Sequence, residues 1–314
     1  MTSKKIIAVV GSTGAQGGGL ARAVLDDPDG PFTLRALTRD PSSDNAMALA
    51  ARGAEVVQAD VRDEASLVKA FDGAHSAFLM TNFWEHMSPE QEKADAGRMA
   101  LAAKSAGLHH VIWSTIEDTR DFIPLDDDRL PTLLGRYKVP HCDAKAEADR
   151  FFTEAGVPTT FLRTAFYWEN LLALGQPQRQ SDGRLATTLP IGGSKIAGIA
   201  VEDIGRTAYA ILKRGEEFTG RTISIAGEHL TGAEIAAALS GPLGEEVLHR
   251  PISADAFRAL GFPGAMDNGN MFQFFAEVPE FVTARNIDSV RAINPSLQTF
   301  EQWLEGKKGR FTTV

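Results

Sequence analysis

Cysteine is almost absent from this sequence of 314 residues, which contains only Cys142. A single cysteine cannot form a disulfide within the chain, so we expect a protein of a reducing compartment, the cytoplasm. The segment from Met1 to Lys5 leads directly into an apolar run and does not resemble a signal peptide. The seven histidines show no metal-ligand spacing, and the sequence therefore predicts no metal site.

Basic tracts and long apolar runs are missing as well. Lys and Arg number 32 against 41 Asp and Glu, which gives a formal net charge of −9. This balance argues against direct nucleic-acid binding and against binding to an anionic membrane surface. No apolar run approaches the roughly 18 residues of a membrane-spanning helix. The remaining composition, 43% hydrophobic and 23% charged, is that of a globular chain long enough for two domains.

A glycine-rich turn follows the first apolar run. Residues 6–10 form a strand-like segment, and the spacing Gly11-x-x-Gly14-x-x-Gly17 leads into a helix-like segment. In a strand–turn–helix, the first glycine allows the tight turn and the second lets a pyrophosphate approach the backbone. The third lets the helix pack on the strand. The motif predicts a dinucleotide site, and the alternative is an ordinary glycine-rich loop. The predicted cofactor contacts here are Gly11, Thr13, Gly14, Ala15, Gln16 and Gly17.

Strand and helix patterns then alternate as far as residue 163. The predicted strands are 32–39, 55–60, 75–80, 110–113 and 159–163, and the predicted helices are 45–51, 63–71, 89–106 and 140–155. This alternation predicts a Rossmann-type doubly wound parallel sheet with a smaller C-terminal α/β lobe. We place the dinucleotide-binding domain at 1–165. The substrate or partner lobe is placed at 166–314, with some elements returning to the first domain.

A long polar connection, 117–139, interrupts the alternation. It is rich in aspartate and proline, and loops of this length are usually functional lids or disordered segments. Residues past Trp168 give weaker signals, which still predict strands at 195–201 and 222–226 and helices at 201–213 and 231–239.

The residue that distinguishes the two nicotinamide dinucleotides is expected at the end of the second strand. Thr38, Arg39 and Asp40 occupy this place. The guanidinium of Arg39 suits a 2′-phosphate, whereas Asp40 lies one residue later and could accept a ribose 2′-hydroxyl. The sequence therefore favours NADP(H), and NAD(H) stays possible.

The ends of the third and fourth strands are expected to contact the adenine or its ribose, because ligands of such sheets bind at the carboxyl ends of the strands. The residues concerned are Asp60, Val61, Thr81, Asn82 and Phe83. Asp60 has an equally good alternative role as a cap of the following helix.

Two residues are candidates for catalysis, Lys145 and His141. Reduction of a carbonyl needs a nearby proton donor, which in short-chain dehydrogenases is a tyrosine four residues before a lysine. Here His141 stands in the place of that tyrosine, and Lys145 keeps its own. Histidine can donate a proton near neutral pH. We favour the alternative that His141 packs and that Lys145 binds the nicotinamide ribose. Tyr167 and Asn170, in an aromatic cluster after the sixth strand, are further candidate cofactor contacts.

Several of these stretches resemble the NmrA-like family, an atypical branch of the short-chain dehydrogenases, and in particular its redox-sensor type. The likeness covers nearly the whole chain. The stretches that carry it are 11–22, 81–85 with 91–92, 141–145, 167–172, 260–265 and 302–304. Members of the family resemble one another in binding NADP(H) and often lack the catalytic tyrosine, as this sequence does.

The resemblance implies a redox-state sensor that binds NADP(H) and acts through a regulatory protein partner, as a monomer or homodimer. Its mobile elements would be 117–139 and Phe83–Trp84, which flank the expected nicotinamide site. The alternative is an NAD(P)H-dependent reductase of quinones or related carbonyl or enone compounds. The sequence departs from its relatives in two places. Asp40-Pro41-Ser42-Ser43 stands where the redox-sensor relatives carry further basic residues, and the acidic loop 117–139 is absent from the shorter relatives.

Overall fold

A computed structural model describes residues 4–307 and 309–311. By its internal contacts the chain divides into two units that interleave along the sequence. The first unit comprises Met1–Glu117, Ala144–Thr164 and Val201–Ile223, and the second comprises Asp118–Asp143, Ala165–Ala200 and Ser224–Val314. The chain therefore passes from one unit to the other five times.

The elements of the two units are numbered here in chain order. The strands are β1 Lys5–Val9, β2 Phe32–Thr38, β3 Glu55–Gln58, β4 Ser76–Leu79, β5 His110–Thr115, β6 Thr159–Arg163, β7 Phe166–Tyr167, β8 Gln178–Arg179, β9 Leu185–Thr187, β10 Lys195–Ile199, β11 Thr222–Ser224, β12 Glu228–Thr231 and β13 Val247–His249. The helices are α1 Ala15–Leu25, α2 Asp44–Ala51, α3 Glu64–Phe71, α4 Pro89–Ser105, α5 Pro140–Ala155, α6 Leu171–Leu174, α7 Val201–Arg214, α8 Gly232–Leu243, α9 Ala254–Arg258, α10 Ala265–Glu277, α11 Pro279–Thr283, α12 Ile287–Ile293 and α13 Phe300–Glu305. Among the described residues, no helix is long and apolar enough to cross a membrane.

The first unit contains a seven-stranded sheet of order β11-β6-β5-β4-β1-β2-β3. Neighbours from β1 to β6 pair in parallel. The strand order reverses at β1, since the chain first winds outward through β2 and β3 and then returns to β4 on the other side. The carboxyl ends of β1 and β4 therefore flank the point where ligands bind in such sheets. The predicted Rossmann-type doubly wound sheet is confirmed.

Two glycines allow α1 and α7 of the first unit to touch through their backbones. A Cβ atom at Gly205 would lie 2.1 Å from the carbonyl carbon of Gly19 and 2.1 Å from the nitrogen of Leu20. A Cβ atom at Gly19 would lie 2.7 Å from the carbonyl oxygen of Val201. The close crossing fixes α1, and with it the glycine turn at the start of that helix.

The second unit contains two small sheets, β12-β10-β7 and β13-β9-β8, and an aromatic core. The fully buried Trp168 lies against Phe300 and Trp303, with ring centroids 5.4 and 5.8 Å apart. Its indole occupies the space beside Gly198, where a Cβ atom would lie 2.2 Å from the indole nitrogen. The C-terminal helix α13 thus packs on the segment that follows β7.

The long polar connection is held by buried hydrogen bonds within the second unit. The ammonium of the buried Lys138 donates to the carbonyl oxygens of Asp127 and Leu130 and to the Thr132 hydroxyl, at 2.7, 2.8 and 3.1 Å. The amide of Asn270 on α10 donates to the carbonyl oxygens of Pro131, at 2.8 Å, and Lys138, at 2.5 Å. These contacts fix the middle of the connection.

His110, at the start of β5, is a buried histidine whose hydrogen bonds fix its tautomer. The Thr160 hydroxyl donates to the Phe218 carbonyl oxygen at 2.7 Å, so it accepts from Nε2–H of His110 at 2.8 Å. The Nδ1 atom is buried without a hydrogen-bond partner. Burial, with a smaller contribution from His75, lowers the pKa of His110 to about 4.

We expect acid to destabilise the protein through His110. Below its ordinary pKa of 6.5 the unfolded histidine binds a proton, whereas the folded ring stays neutral down to about pH 4. The stability that the neutral ring contributes is therefore lost as the pH falls through this window. The free energy of unfolding of the wild type, minus that of His110→Asn, should fall by up to about 3 kcal/mol between neutral pH and pH 4. Urea denaturation of both proteins at each pH measures it, and a constant difference would contradict the assignment.

Candidate functional site

The glycine turn between β1 and α1 leaves the start of the helix uncapped. Gly11 has a φ of +69°, a conformation that other residues rarely adopt. Gly14 is the N-cap of α1, no side chain caps the helix, and its first turn contains no acidic residue. The positive end of the helix dipole therefore faces no protein anion from that first turn.

The turn brings the start of α1 close to β1 and leaves part of its backbone exposed. A Cβ atom at Gly17 would lie 2.4 Å from the Gly11 carbonyl oxygen, so only glycine allows α1 to start this close to β1. Gly14 and Ala15 are exposed, and a ligand can reach their backbone. Gln16 is buried, and its side-chain oxygen accepts a hydrogen bond from Ser114 on β5 at 2.6 Å. The turn is thus tied to the carboxyl end of β5.

Two arginines at the ends of β2 and β3 share one carboxylate. The guanidinium of Arg39 lies 2.5 Å from Oε1 of Glu85, and that of Arg62 lies 3.5 Å from the same atom. All three side chains are at least one-third exposed. The sequence predicts a role for Arg39 at this place but not for Arg62 or Glu85. The only signal for Arg62 is its position just past the end of β3.

The aspartate next to Arg39 is engaged in its own turn. Oδ1 of Asp40 accepts from the backbone N–H of Ser42 at 2.9 Å and from the Ser42 hydroxyl at 2.5 Å. These hydrogen bonds lower the pKa of Asp40. The hydroxyl of Thr38 accepts from the backbone N–H of Asp40 at 3.2 Å. Thr38 and Asp40 thus form hydrogen bonds within the turn, whereas the Arg39 side chain extends into the solvent and is 62% exposed.

The predicted residues at the end of β3 and after β4 are placed as follows. The Asp60 carboxylate accepts from the backbone N–H of Arg62 at 2.9 Å, which stabilises the turn after β3. Val61 is half-buried beside it. Asn82 is exposed, whereas Phe83 is buried.

Lys145 on α5 is surrounded by acceptors at the end of β4. Its Nζ atom lies 2.7 Å from Oε1 of Glu92, 2.5 Å from the Thr81 hydroxyl and 3.3 Å from the Thr81 carbonyl oxygen. The ammonium also lies 5.3 Å from the centroid of the Trp113 ring. Glu92 is completely buried on α4. The structure brings the predicted pair Thr81 and Lys145 together, and it adds Glu92, which sequence reasoning did not assign to the site.

Asp149 lies one helical turn beyond Lys145 on α5. Its Oδ1 atom accepts from the indole N–H of Trp113 at 2.8 Å and from the Thr115 hydroxyl at 2.6 Å. Burial raises the pKa of Asp149 to about 6, although these hydrogen bonds oppose the shift. Trp113 is thus held between Asp149 and Lys145.

His141, at the start of α5, belongs to the second unit and is paired with Asp267 there. Its Nδ1 atom lies 2.6 Å from Oδ1 of Asp267, and its backbone N–H donates to Oδ2 at 3.1 Å. Nε2 lies 3.4 Å from Sγ of Cys142. Burial alone would lower the pKa of His141, but the Asp267 carboxylate outweighs it and raises the pKa well above its ordinary value.

The remaining predicted contacts also lie in the second unit. Tyr167 is half-buried at the end of β7, where it pairs with Ile199 of β10, and Asn170 is exposed. Tyr137, the nearest tyrosine before His141, is buried between two arginine side chains. Within the described part of the chain, no three His, Cys, Asp or Glu side chains meet as metal ligands.

A doubly wound parallel sheet with an uncapped glycine turn after its first strand defines the class of Rossmann-type dinucleotide-binding folds. The model of the NmrA-like family matches residues 3–304 of this sequence. The chain belongs to the NmrA-like family.

Known proteins resemble the chain over nearly its whole length. The NAD(P)H azoreductase of Xenophilus azovorans is 29% identical over 313 residues, which cover 98% of this chain and 99% of that protein. NmrA, a negative transcriptional regulator, was solved in complex with NAD and with NADP. Its two structures superpose with TM-scores of 0.79 and 0.78 at 24% identity, covering 96% of this chain and 94% of NmrA. The triphenylmethane reductase of Citrobacter sp., complexed with NADP(H), gives 0.73 at 20% identity and covers 96% and 99%. At these identities the structures establish the fold alone.

Proposed function

We propose that the first unit binds NAD(P)(H) at the glycine turn and that the protein is an NAD(P)H-dependent reductase. The observation that carries this is the Lys145 ammonium at the end of β4, next to β1 and its uncapped turn. A dinucleotide with its pyrophosphate at such a turn extends along this edge of the sheet. The NAD(P)H azoreductase among the relatives supports the same class of reaction.

The proposed substrates are quinones, azo compounds and related dyes. When bound, NAD(P)H supplies a hydride to an electron-poor group of such a molecule. The positive charge of Lys145 stabilises the negative charge that develops on the acceptor, and its N–H bonds orient the nicotinamide ribose. Hydride transfer to acceptors of this kind depends on positioning and electrostatic stabilisation and does not require a tyrosine as proton donor. The presence of a histidine at position 141 is consistent with such acceptors.

His141 suits a positioning role better than proton donation. One ring nitrogen faces the Asp267 carboxylate and the other faces the Cys142 thiol. Donation to a substrate would require the ring to leave at least one of these groups. We infer that His141 anchors the start of α5.

Titration of the purified protein with NADPH and with NADH, followed by nicotinamide fluorescence, tests the binding part of this proposal. We expect saturable binding of NADPH with one site per chain. Absence of saturable binding by either nucleotide would overturn the assignment of the glycine turn as a dinucleotide site.

We further propose a preference for NADP(H), because Arg39 and Arg62 present two positive charges at the ends of β2 and β3. Both guanidinium groups face Glu85. A bound 2′-phosphate would compete with this carboxylate for the same donors. Glu85 therefore limits the preference that the two arginines create.

Substitution at this cluster should change the affinity for NADPH and leave that for NADH nearly constant. Arg39→Ala should raise the Kd for NADPH by about tenfold, because it removes charge-assisted hydrogen bonds. Glu85→Gln should lower the same Kd, since it removes a competing negative charge. Arg52→Ala, which breaks the exposed ion pair with Asp26, is the matched control. Equal changes in the Kd values of NADPH and NADH would contradict the proposed preference.

A regulatory function is the second candidate, and the position of Trp84 favours it. This indole is 40% exposed and lies three residues after Thr81, which contacts Lys145 directly. Cofactor binding at Lys145 would thus act on a segment that presents an aromatic side chain to a protein partner. The connection 117–139 is a weaker candidate for the mobile element, because Lys138 and Asn270 hold it.

A change of conformation on cofactor binding is testable by limited proteolysis. If the regulatory function is correct, NADPH should alter cleavage near Phe83–Trp84, because a ligand shifts only states for which its affinities differ. Cleavage that NADPH leaves unchanged in this segment and in 117–139 would exclude the switch.

A further inference from the structure

Two buried polar atoms face each other behind Lys145. Nε2 of His86 and Oε2 of Glu92 lie 3.6 Å apart, and neither has a hydrogen-bond partner. Glu92 is completely buried on α4, and the His86 side chain is 12% exposed. A buried carboxylate is costly unless hydrogen bonds satisfy it, so the pair requires an explanation.

A backbone hydrogen bond fixes the tautomer of His86. The backbone N–H of Ser88 donates to Nδ1 at 3.0 Å, so Nδ1 must carry a lone pair. The proton of the neutral ring is therefore on Nε2, the atom that faces Glu92. Ser88 is also the N-cap of α4, which ties the orientation of the ring to the start of the helix that carries Glu92.

The other oxygen of Glu92 receives two hydrogen bonds. Lys145 donates to Oε1 at 2.7 Å, and the Thr81 hydroxyl donates to the same atom. Donor groups thus face both oxygens of the carboxylate, Lys145 and Thr81 at Oε1 and the Nε2–H of His86 at Oε2. Each of the two oxygens must therefore be an acceptor. A glutamine has one acceptor and one donor group at these positions and cannot replace the carboxylate.

Lys145 is itself fully engaged. An ammonium has three N–H donors, and Lys145 faces three acceptors on Glu92 and Thr81. The longest of these contacts is the one to the Thr81 carbonyl oxygen, at 3.3 Å. The N–H bond directed at this carbonyl oxygen makes the weakest of the three contacts. It can therefore turn to a ribose hydroxyl with the smallest loss of hydrogen-bond energy.

We propose that Glu92, supported by the Nε2–H of His86, is a positioning residue that aims the Lys145 ammonium at the nicotinamide ribose. This inference rests on the proposed cofactor site. Glu92 and the Thr81 hydroxyl hold two of the three N–H donors, and the third exchanges between the Thr81 carbonyl oxygen and the ribose. Neither Glu92 nor His86 contacts the substrate or the cofactor.

The test compares two ligands that differ in the nicotinamide half. NADPH contains the nicotinamide ribose, whereas adenosine 2′,5′-bisphosphate does not. Glu92→Gln should raise the Kd for NADPH by about tenfold and leave that of the bisphosphate within about twofold. A loss of structure would weaken both ligands alike, and thermal unfolding of the variant reports it directly. Equal weakening of the two ligands, or no weakening of either, would overturn the proposal.

A second variant tests the part played by His86. In Glu92→Gln the new amide N–H group faces Nε2–H, so two donors oppose each other. Combining it with His86→Gln places an acceptor opposite that amide, and we expect the double variant to recover part of the lost NADPH affinity. A double variant that binds NADPH no better than Glu92→Gln would remove His86 from the proposal.

A readout without cofactor separates this inference from the proposed function. Acetic anhydride acetylates a lysine more slowly when its amine is held by neighbouring groups. Mass spectrometry quantifies the acetylated peptide that carries Lys145. The acetylation rate of Lys145, divided by that of the exposed Lys104 in the same sample, should be higher in Glu92→Gln than in the wild type. Failure of the wild type to bind NADPH would reject the cofactor site alone, whereas unchanged reactivity of Lys145 would reject the positioning role of Glu92.

Discussion

Lys145→Met should reduce the turnover of an azo or quinone substrate with NADPH by about 10²–10³-fold. Methionine has nearly the volume of lysine but carries neither the charge nor the N–H donors. If the proposed mechanism is correct, the variant loses the cation that stabilises the reduced acceptor and the contacts that orient the nicotinamide ribose. Position 141 holds a histidine, so no tyrosine at that position would compensate for the loss of this cation.

The rate of NADPH oxidation at saturating acceptor measures the effect. Lys104→Met is the matched control, since Lys104 is an exposed residue on α4 that is not among the residues around Lys145. The control should keep the wild-type rate. A Lys145→Met variant that retains more than about half of the wild-type turnover would exclude the lysine from the mechanism.

Gly205→Ala should be the most destabilising of the substitutions considered. The added methyl group would lie 2.1 Å from backbone atoms of both Gly19 and Leu20, and backbone cannot move aside as a flexible side chain does. Relief requires α7 to move away from α1, which would shift the helix that carries the glycine turn. We expect a loss of at least about 3 kcal/mol in the free energy of unfolding, together with weaker NADPH binding.

The chain offers a matched control in Gly97, another glycine inside a helix. A Cβ atom there would lie 3.8 Å from the Phe151 ring, an ordinary van der Waals distance. Gly97→Ala should therefore be neutral or stabilise by up to about 1 kcal/mol, because alanine restricts the unfolded chain. Urea denaturation compares the two variants. Similar unfolding free energies for Gly205→Ala and Gly97→Ala would contradict the close backbone contact between α1 and α7.

Much of the first unit was predictable because its signals are local. Asp63 accepts the Ala65 N–H at the start of α3, and Ser88 accepts the Gln91 N–H at the start of α4, as their sequence positions indicate. The glycine spacing likewise predicted the turn after β1. Strand, cap and glycine patterns are read within a few residues, and parallel pairing of such strands follows from general rules.

The parts that escaped prediction depend on contacts between distant segments. Nothing near Glu92 in the sequence shows that this glutamate is buried against Lys145, since burial of a charge depends on its partners. The strands β8, β9 and β13 have two or three residues each, too short for a periodic pattern. Arg62 and Glu85 share a site only because β3 and β4 end at the same edge of the sheet.

Oxidation of NADPH by catalytic amounts of the purified protein, in the presence of a quinone or an azo dye, tests directly whether the protein is a reductase. Loss of the reduced nicotinamide absorbance reports the reaction. We expect many turnovers per chain, saturable in the acceptor and absent without it. Tight binding of NADPH with no oxidation by any member of a panel of quinones and azo dyes would contradict the reductase and would leave the regulatory function as the role of the site.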